Sequence, residues 1–197
     1  MVAVSINDSR RLEAHRVEHQ LIIHGVSRHP PLLTKDYDFL CVGRNVPHKN
    51  LFMFEELVES FKMGDSRIRG CLITDNYSTR SQSISVLRNL SDDEMVDIYR
   101  RSRFILSFSE YEGFGLAVVE AISCGCIPIC FGNTSFKEIL KDVPETIVDE
   151  LTVEKFESRC MHLMKVDTSD LLIRLDQISQ RYGLDAMVTA LEKFINS

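Results

Sequence analysis

No apolar run in this 197-residue chain approaches the length that crosses a bilayer. The stretch from Met1 to Arg16 has no apolar core of the kind a secretory signal carries. Basic residues form no stripe, and 29 Asp and Glu against 23 Lys and Arg leave a formal charge of −6. Such a surface makes a nucleic-acid backbone a poor partner. A small anion is not excluded, because it needs only one or two local cations and some oriented amides. A phosphate-loop lysine motif, a nucleophile elbow and any usable Ser/His/Asp or Cys/His spacing are missing. The first long strand is followed by Val42-Gly-Arg-Asn-Val-Pro47 rather than Gly-x-Gly-x-x-Gly, which argues against a dehydrogenase type of dinucleotide site.

Six cysteines are present, and four fall in or next to expected strands. Cys124-Gly-Cys126 does not have zinc-ligand spacing and no histidine pair accompanies it, so no metal site is expected. They read as buried thiols of a reducing compartment, and the expected location is cytoplasmic. Apolar and charged fractions of 44 % and 26 % are ordinary for a globule, and the length suits one α/β domain with appendages.

The opening segment, residues 1–30, reads as the margin of a domain. A short strand at Val2–Ser5, a polar helix over Ser9–Gln20 and an apolar run Leu21–Ile23 precede the breaker His29-Pro30-Pro31. A repeating rhythm fills residues 31–197. Strands are expected at Phe39–Gly43, Ile68–Ile73, Ile84–Leu87, Phe104–Phe108, Cys126–Phe131 and Thr146–Val148. Pro128 weakens the fifth of these. Helices are expected at Leu51–Phe61, Asp92–Arg101, Gly115–Ser123, Thr134–Leu140, Val153–Met164, Ser169–Arg181 and Leu184–Ile195. Ser91 and Glu94 have capping-box spacing. Short strands alternating with helices predict an α/β, Rossmann-like three-layer domain, with a mostly parallel sheet and helices on both faces. Sites in such sheets lie beyond the C-terminal strand ends, which puts the loops Gly43–Asn50 and Ser109–Gly115 on one rim.

Chemistry concentrates on that rim. Glu112 and Glu120 stand eight positions apart around Gly113-Phe114-Gly115, with an apolar strand before them and a small-residue helix after. A helix starting near Gly115 offers free N–H groups to a phosphate, although a glycine pair also makes plain turns. Glu120 can accept from two vicinal hydroxyls, as in a ribose, or simply sit on a solvated helix edge. Glu112 can accept from sugar hydroxyls or serve as a helix-terminus carboxylate. Arg44 and Lys49 can neutralise a departing diphosphate or be two surface cations. His48 can be loop surface only, and Glu110 reads as solvated. Glu138 could face the same rim, and Thr134 and Ser135 could contact phosphate or cap a helix. Arg88–Leu90, after the third strand, are expected to build part of a base pocket.

These residues resemble the C-terminal, donor-binding half of the retaining GT-B glycosyltransferases of family 4. The matching pieces are Val42-Gly-Arg44 with Lys49, the E-x7-E segment Glu112–Glu120, Gly125-Cys-Ile-Pro128, Phe136-Lys-Glu138-Ile-Leu140 and Tyr182-Gly-Leu184. The resemblance spans about residues 37 to 195, and residues 1–30 are similar to the crossover between the two halves. It implies transfer of a hexose from a nucleotide-diphosphate sugar, UDP- or GDP-linked, with retention of configuration and with no permanently bound cofactor. Arg44 and Lys49 would hold the diphosphate, and Gly113, Phe114, Gly115 and Leu116 would face the donor phosphate and sugar, partly through backbone amides. Glu112 would contact the transferred sugar and Glu120 the ribose. The catalytic set so implied is Arg44, Lys49 and Glu112, without a covalent nucleophile. The N-terminal half that supplies acceptor contacts has no room in this sequence. Either the sequence is a piece of a longer protein, or it is a lone donor domain whose site for a glycan, lipid-linked or protein acceptor is closed by a partner subunit or a second copy. The alternative function is a non-catalytic nucleotide-sugar-binding or assembly subunit.

Overall fold

The computed structural model describes residues 2–3 and 6–196. Of the expected strand Val2–Ser5 it contains β1 (Val2–Ala3), whereas Val4 and Ser5 lie outside the described residues. Helix α1 (Ile6–Ala14) and β2 (Gln20–Leu21) complete a small unit in which β1 and β2 pair in parallel. The expected helix over Ser9–Gln20 thus starts and stops earlier, and the chain leaves it through Arg16 in a left-handed conformation.

The main body is a six-stranded, fully parallel sheet. Its strands are β3 (Tyr37–Val42), β4 (Gly70–Ile73), β5 (Ile84–Leu87), β6 (Ser102–Ser107), β7 (Ile127–Phe131) and β8 (Ile147–Val148), in the order β5-β4-β3-β6-β7-β8. From β3 the chain builds outward through β4 and β5, returns to the middle, and builds outward the other way from β6. Reversal of direction puts successive right-handed crossovers on opposite faces. Helix α2 (Leu51–Gly64), after β3, accordingly packs with α6 (Val153–Lys165). Helix α4 (Leu116–Ser123), after β6, packs with α3 (Asp92–Arg101) and α7 (Ser169–Arg181). Helices α5 (Thr134–Ile139) and α8 (Leu184–Ile195) complete the chain.

Continuous apolar runs in the central strands reflect burial on both sides. Phe39, Leu40, Phe104 and Ile105 are wholly inaccessible, and Phe39 lies 4.9 Å from the Phe61 ring of α2 and 6.0 Å from Phe104. On the α6 side Phe108 meets Phe156 at 4.3 Å between centroids. Pro128 is accommodated because β8 pairs only with Cys130 and Phe131, so at the proline β7 has a strand neighbour on one side alone. The capping box at Ser91 is formed, with the Ser91 N–H donating to Glu94 at 2.7 Å and the Glu94 N–H to Ser91 Oγ at 3.4 Å. All six thiols are buried and unpaired.

Candidate functional site

The strands β3 and β6 are parallel neighbours, with Cys41 opposite Leu106, and the chain departs from them in opposite directions. In open α/β sheets the crevice that takes ligands lies at such a point, beyond the C-terminal strand ends. Two loops lie there. In the first, Pro47–Lys49 form a single 3-10 turn that ends on Asn50 in a left-handed conformation. The Asn45 N–H donates to Asp75 at 2.8 Å, and this bond with one from the Asn76 N–H holds the Asp75 carboxyl below its ordinary value. The two loops are stitched together. Asn50 Nδ2 donates to the Phe108 carbonyl at 3.2 Å and to Glu110 at 3.1 Å, and the Glu110 N–H donates to the His48 carbonyl at 3.0 Å.

Across this seam Lys49 forms an ion pair with Glu112, its stem passing beside Gly43. The two side chains are only 16 % and 17 % exposed, so the pair is shielded more than an ordinary surface pair. Arg44 stands exposed on the same loop, and its side chain makes no hydrogen bond or ion pair to a described residue.

The second loop turns at Gly115, whose φ of +94° admits few other residues and whose Cα faces Phe136 so closely that a Cβ would lie 2.6 Å from the ring. No side chain caps α4. Among the described residues the N–H groups of Gly113, Phe114, Gly115, Leu116 and Ala117 have no hydrogen-bond partner. Together with the positive end of α4 they form a run of donors of the kind that accepts an anion. The Phe114 ring is turned inward, 6 % exposed, 5.9 Å from His24 and 5.5 Å from Tyr182, which leaves only its backbone for the rim.

Glu120 points from α4 into a cavity of about 570 Å³, lined among others by His24, Asp92, Met95, Tyr99 and Leu116. The Tyr99 hydroxyl donates to it at 2.9 Å. Burial raises the Glu120 pKa above the usual 4.5, opposed by the Tyr99 bond and reinforced by the charge of Asp92. Burial and the Glu120 charge push the Tyr99 phenol well above its ordinary range, so it remains a donor. Arg44, Lys49 and Gly113 do not line this cavity; Leu116, on the first turn of α4, joins its wall to the run of free amides. Glu112, with Lys49, thus precedes the start of α4, and Glu120 lies in the second turn of the same helix.

The remaining candidates take other places. Asn133 caps α5, accepting from the Phe136 N–H at 3.1 Å and donating to the Ser109 carbonyl at 2.8 Å. The expectation that Thr134 or Ser135 caps that helix is corrected, since the residue one step earlier already satisfies the amide. Ser135 donates instead to the Glu112 carbonyl at 2.6 Å, and of Thr134 only the backbone is described. Glu138 lies with Lys137, Lys141 and Glu110 on a second cavity of about 650 Å³. Arg88 donates to the Tyr77 carbonyl at 2.6 Å and, with Asn89 and Leu90, stays off the Glu120 cavity, whose wall is the first turn of α3. Among the described residues no group of three or more His, Cys, Asp or Glu could hold a metal ion. Sequence reasoning missed Tyr99, His24, Asn50 and Asn133. Only the asparagines carried a signal, each preceding a helix at a cap position.

Residues 27–180 match the family model described as "Glycosyl transferases group 1". The chain is 27 % identical over 143 residues to O-antigen chain mannosyltransferase B of Escherichia coli, covering 66 % of this chain and 37 % of that protein. It is 27 % identical over 173 residues to the GDP-mannose:cellobiosyl-diphosphopolyprenol alpha-mannosyltransferase of Komagataeibacter xylinus, covering 76 % of this chain and 42 % of that one. A crystal structure of an S. aureus TarM variant, in complex with Fondaparinux, alpha-GlcNAc-glycerol and UDP, superposes with a TM-score of 0.82 at 14 % identity, covering all of this chain and 43 % of that one. The chain thus spans about two fifths of the length of the curated relatives it matches. At that level of identity the superposition shows the fold, a Rossmann-like half of the GT-B architecture. With the family model covering most of its length, this chain belongs to the glycosyl transferases group 1 family.

Proposed function

We propose that this chain binds a nucleotide-diphosphate sugar at the β3/β6 crevice and serves as the donor half of a retaining hexosyltransferase. One observation carries the reading. The shielded Lys49–Glu112 pair stands beside the run of unpaired amides Gly113–Ala117 at the point where the strand order reverses. In this reading the diphosphate lies between Arg44 and Lys49 on one loop and the amides of Gly113, Phe114, Gly115 and Leu116 on the next. Glu120, braced by Tyr99, accepts from the ribose hydroxyls. Glu112 accepts from the hydroxyls of the transferred sugar once a phosphate takes over its lysine.

The proposed chemistry breaks the bond between the anomeric carbon and the diphosphate oxygen and forms a bond to the acceptor oxygen on the same face, the acceptor's hydroxyl proton passing to the departing diphosphate oxygen. Negative charge then appears on the leaving diphosphate, where two cations and preorganised amides stabilise it more than they stabilise the bound donor. No side chain is assigned as a nucleophile. Exclusion of water requires a second body over the crevice, whether the rest of a longer polypeptide, a partner subunit or a second copy, that also supplies the acceptor contacts. The buried, unpaired thiols suit a reducing cytoplasmic setting, and no described helix is long and apolar enough to cross a membrane.

Calorimetric titration tests the donor assignment. GDP-mannose comes first, because a relative's name includes it, followed by UDP- and ADP-sugars. Saturable heat is expected with one class, and Lys49→Ala should weaken it by about tenfold or more, as expected for a lost charge-assisted bond. Absence of heat with every donor would overturn the reading.

A further inference from the structure

Ser135 is 1 % exposed, and its hydroxyl reaches two successive carbonyls of the neighbouring loop, Glu112 at 2.6 Å and Gly113 at 3.1 Å. One hydroxyl proton is shared between them, the shorter contact taking the larger part. In a trans peptide the carbonyl and the following N–H point in opposite directions. Drawing the Glu112 and Gly113 carbonyls toward α5 therefore turns the N–H groups of Gly113 and Phe114 away from it. These are two of the five consecutive donors that lack a partner among the described residues. The chain is uncrowded on the Cβ side of Gly113, with nothing within 4 Å of where a Cβ would stand.

We propose that Ser135 is a positioning residue, aiming the Gly113 and Phe114 amides at the donor's diphosphate by holding the carbonyls behind them. The inference rests on the donor-binding reading above. Asn133 anchors the start of the same loop through Ser109, and the Gly115–Phe136 contact anchors its end. Without Ser135 the intervening peptides have no described bond to keep their planes, and in water their amides would turn to solvent.

The test compares GDP, UDP and ADP with the matching nucleosides on the whole chain. Where wild type binds a diphosphate, Ser135→Ala should bind it about tenfold more weakly while its affinity for the nucleoside stays unchanged. Ser135→Thr, which keeps the hydroxyl, should restore most of the loss. An equal loss for diphosphate and nucleoside, or no loss, would overturn the assignment. A second readout does not depend on the folding of a variant. Saturation of the wild-type chain with the diphosphate should shift the Gly113 and Phe114 amide proton resonances downfield, and unmoved resonances would overturn the proposal. If wild type binds no diphosphate, the donor reading fails and this inference fails with it; if wild type binds and the Ser135 variants match it, only the inference fails.

Discussion

Among the described residues the Lys49 ammonium pairs with one group, the carboxylate of Glu112. A diphosphate arriving at the loop must compete with Glu112 for the lysine, and the exchange of partners couples phosphate binding to release of the carboxylate. Removing the acid's charge should therefore help the diphosphate and harm the sugar. Glu112→Gln is expected to bind the nucleoside diphosphate as tightly as wild type or severalfold tighter, and to transfer sugar far more slowly, as read by calorimetry beside a transfer assay. Glu120 shows the opposite environment. Its pKa lies above 4.5 because burial disfavours the charged form. The ionised carboxylate therefore costs folding stability at neutral pH, a cost relieved as pH falls through the raised value. Ribose binding uses the ionised form, so donor affinity should decline as pH drops into the range just above 4.5, and Glu120→Gln should bind weakly with a flat profile. A wild-type profile that stays flat through that range would remove Glu120 from the site.

The elements that matter most for the crevice are the turn before α4 and the short α5 behind it. Gly115 meets two constraints, a left-handed backbone and an approach to Phe136 that leaves no room for a Cβ. Gly115→Ala is expected to cost about 1–3 kcal/mol for the backbone strain alone, with the ring contact adding to it. Thermal unfolding should register a fall of several degrees in Tm. Much of this element was readable beforehand. The Gly-Phe-Gly turn, the helix after it and the Ser91–Glu94 box depend on residues a few positions apart, and local spacing reports local structure. Ser135 was readable only as an alternative, cap or phosphate contact; the cap is Asn133, and the Ser135 hydroxyl donates to two loop carbonyls. Its partners lie 22 and 23 positions away across α4 and β7, beyond the reach of any local pattern.

At the scale of the whole molecule, a fully parallel sheet is covered on both faces, and the thiols lie under that cover. Burial pushes Cys41, Cys71 and Cys126 up to about 12 and Cys124 to about 11, so the thiolate needed for reaction is scarce and shielded at neutral pH. In a denaturant series with a thiol-reactive dye, the native chain should take up almost no label, and labelling should rise along the same transition as loss of helix signal. Early labelling of one cysteine would reveal a locally opening strand. The opening segment is also part of this scale. His24 lies against Phe114, Val26 bridges to Gly183, and the Gly25 N–H reaches Met187 at 3.2 Å, so residues 24–26 brace the loop that carries Glu112.

By itself the sequence determined the alternation of strands and helices, the parallel class of the sheet, and the two loops bearing Arg44, Lys49, Glu112 and Glu120. Apolar periodicity, glycines and caps act over a few residues, and each of those features is written within such a window. Only the tertiary structure decided that β6 returns beside β3, that Lys49 and Glu112 then meet, that Tyr99 braces Glu120, and that Phe114 turns inward. These depend on contacts between segments 21 to 90 residues apart, set by how the layers pack and by which buried polar groups must find partners there.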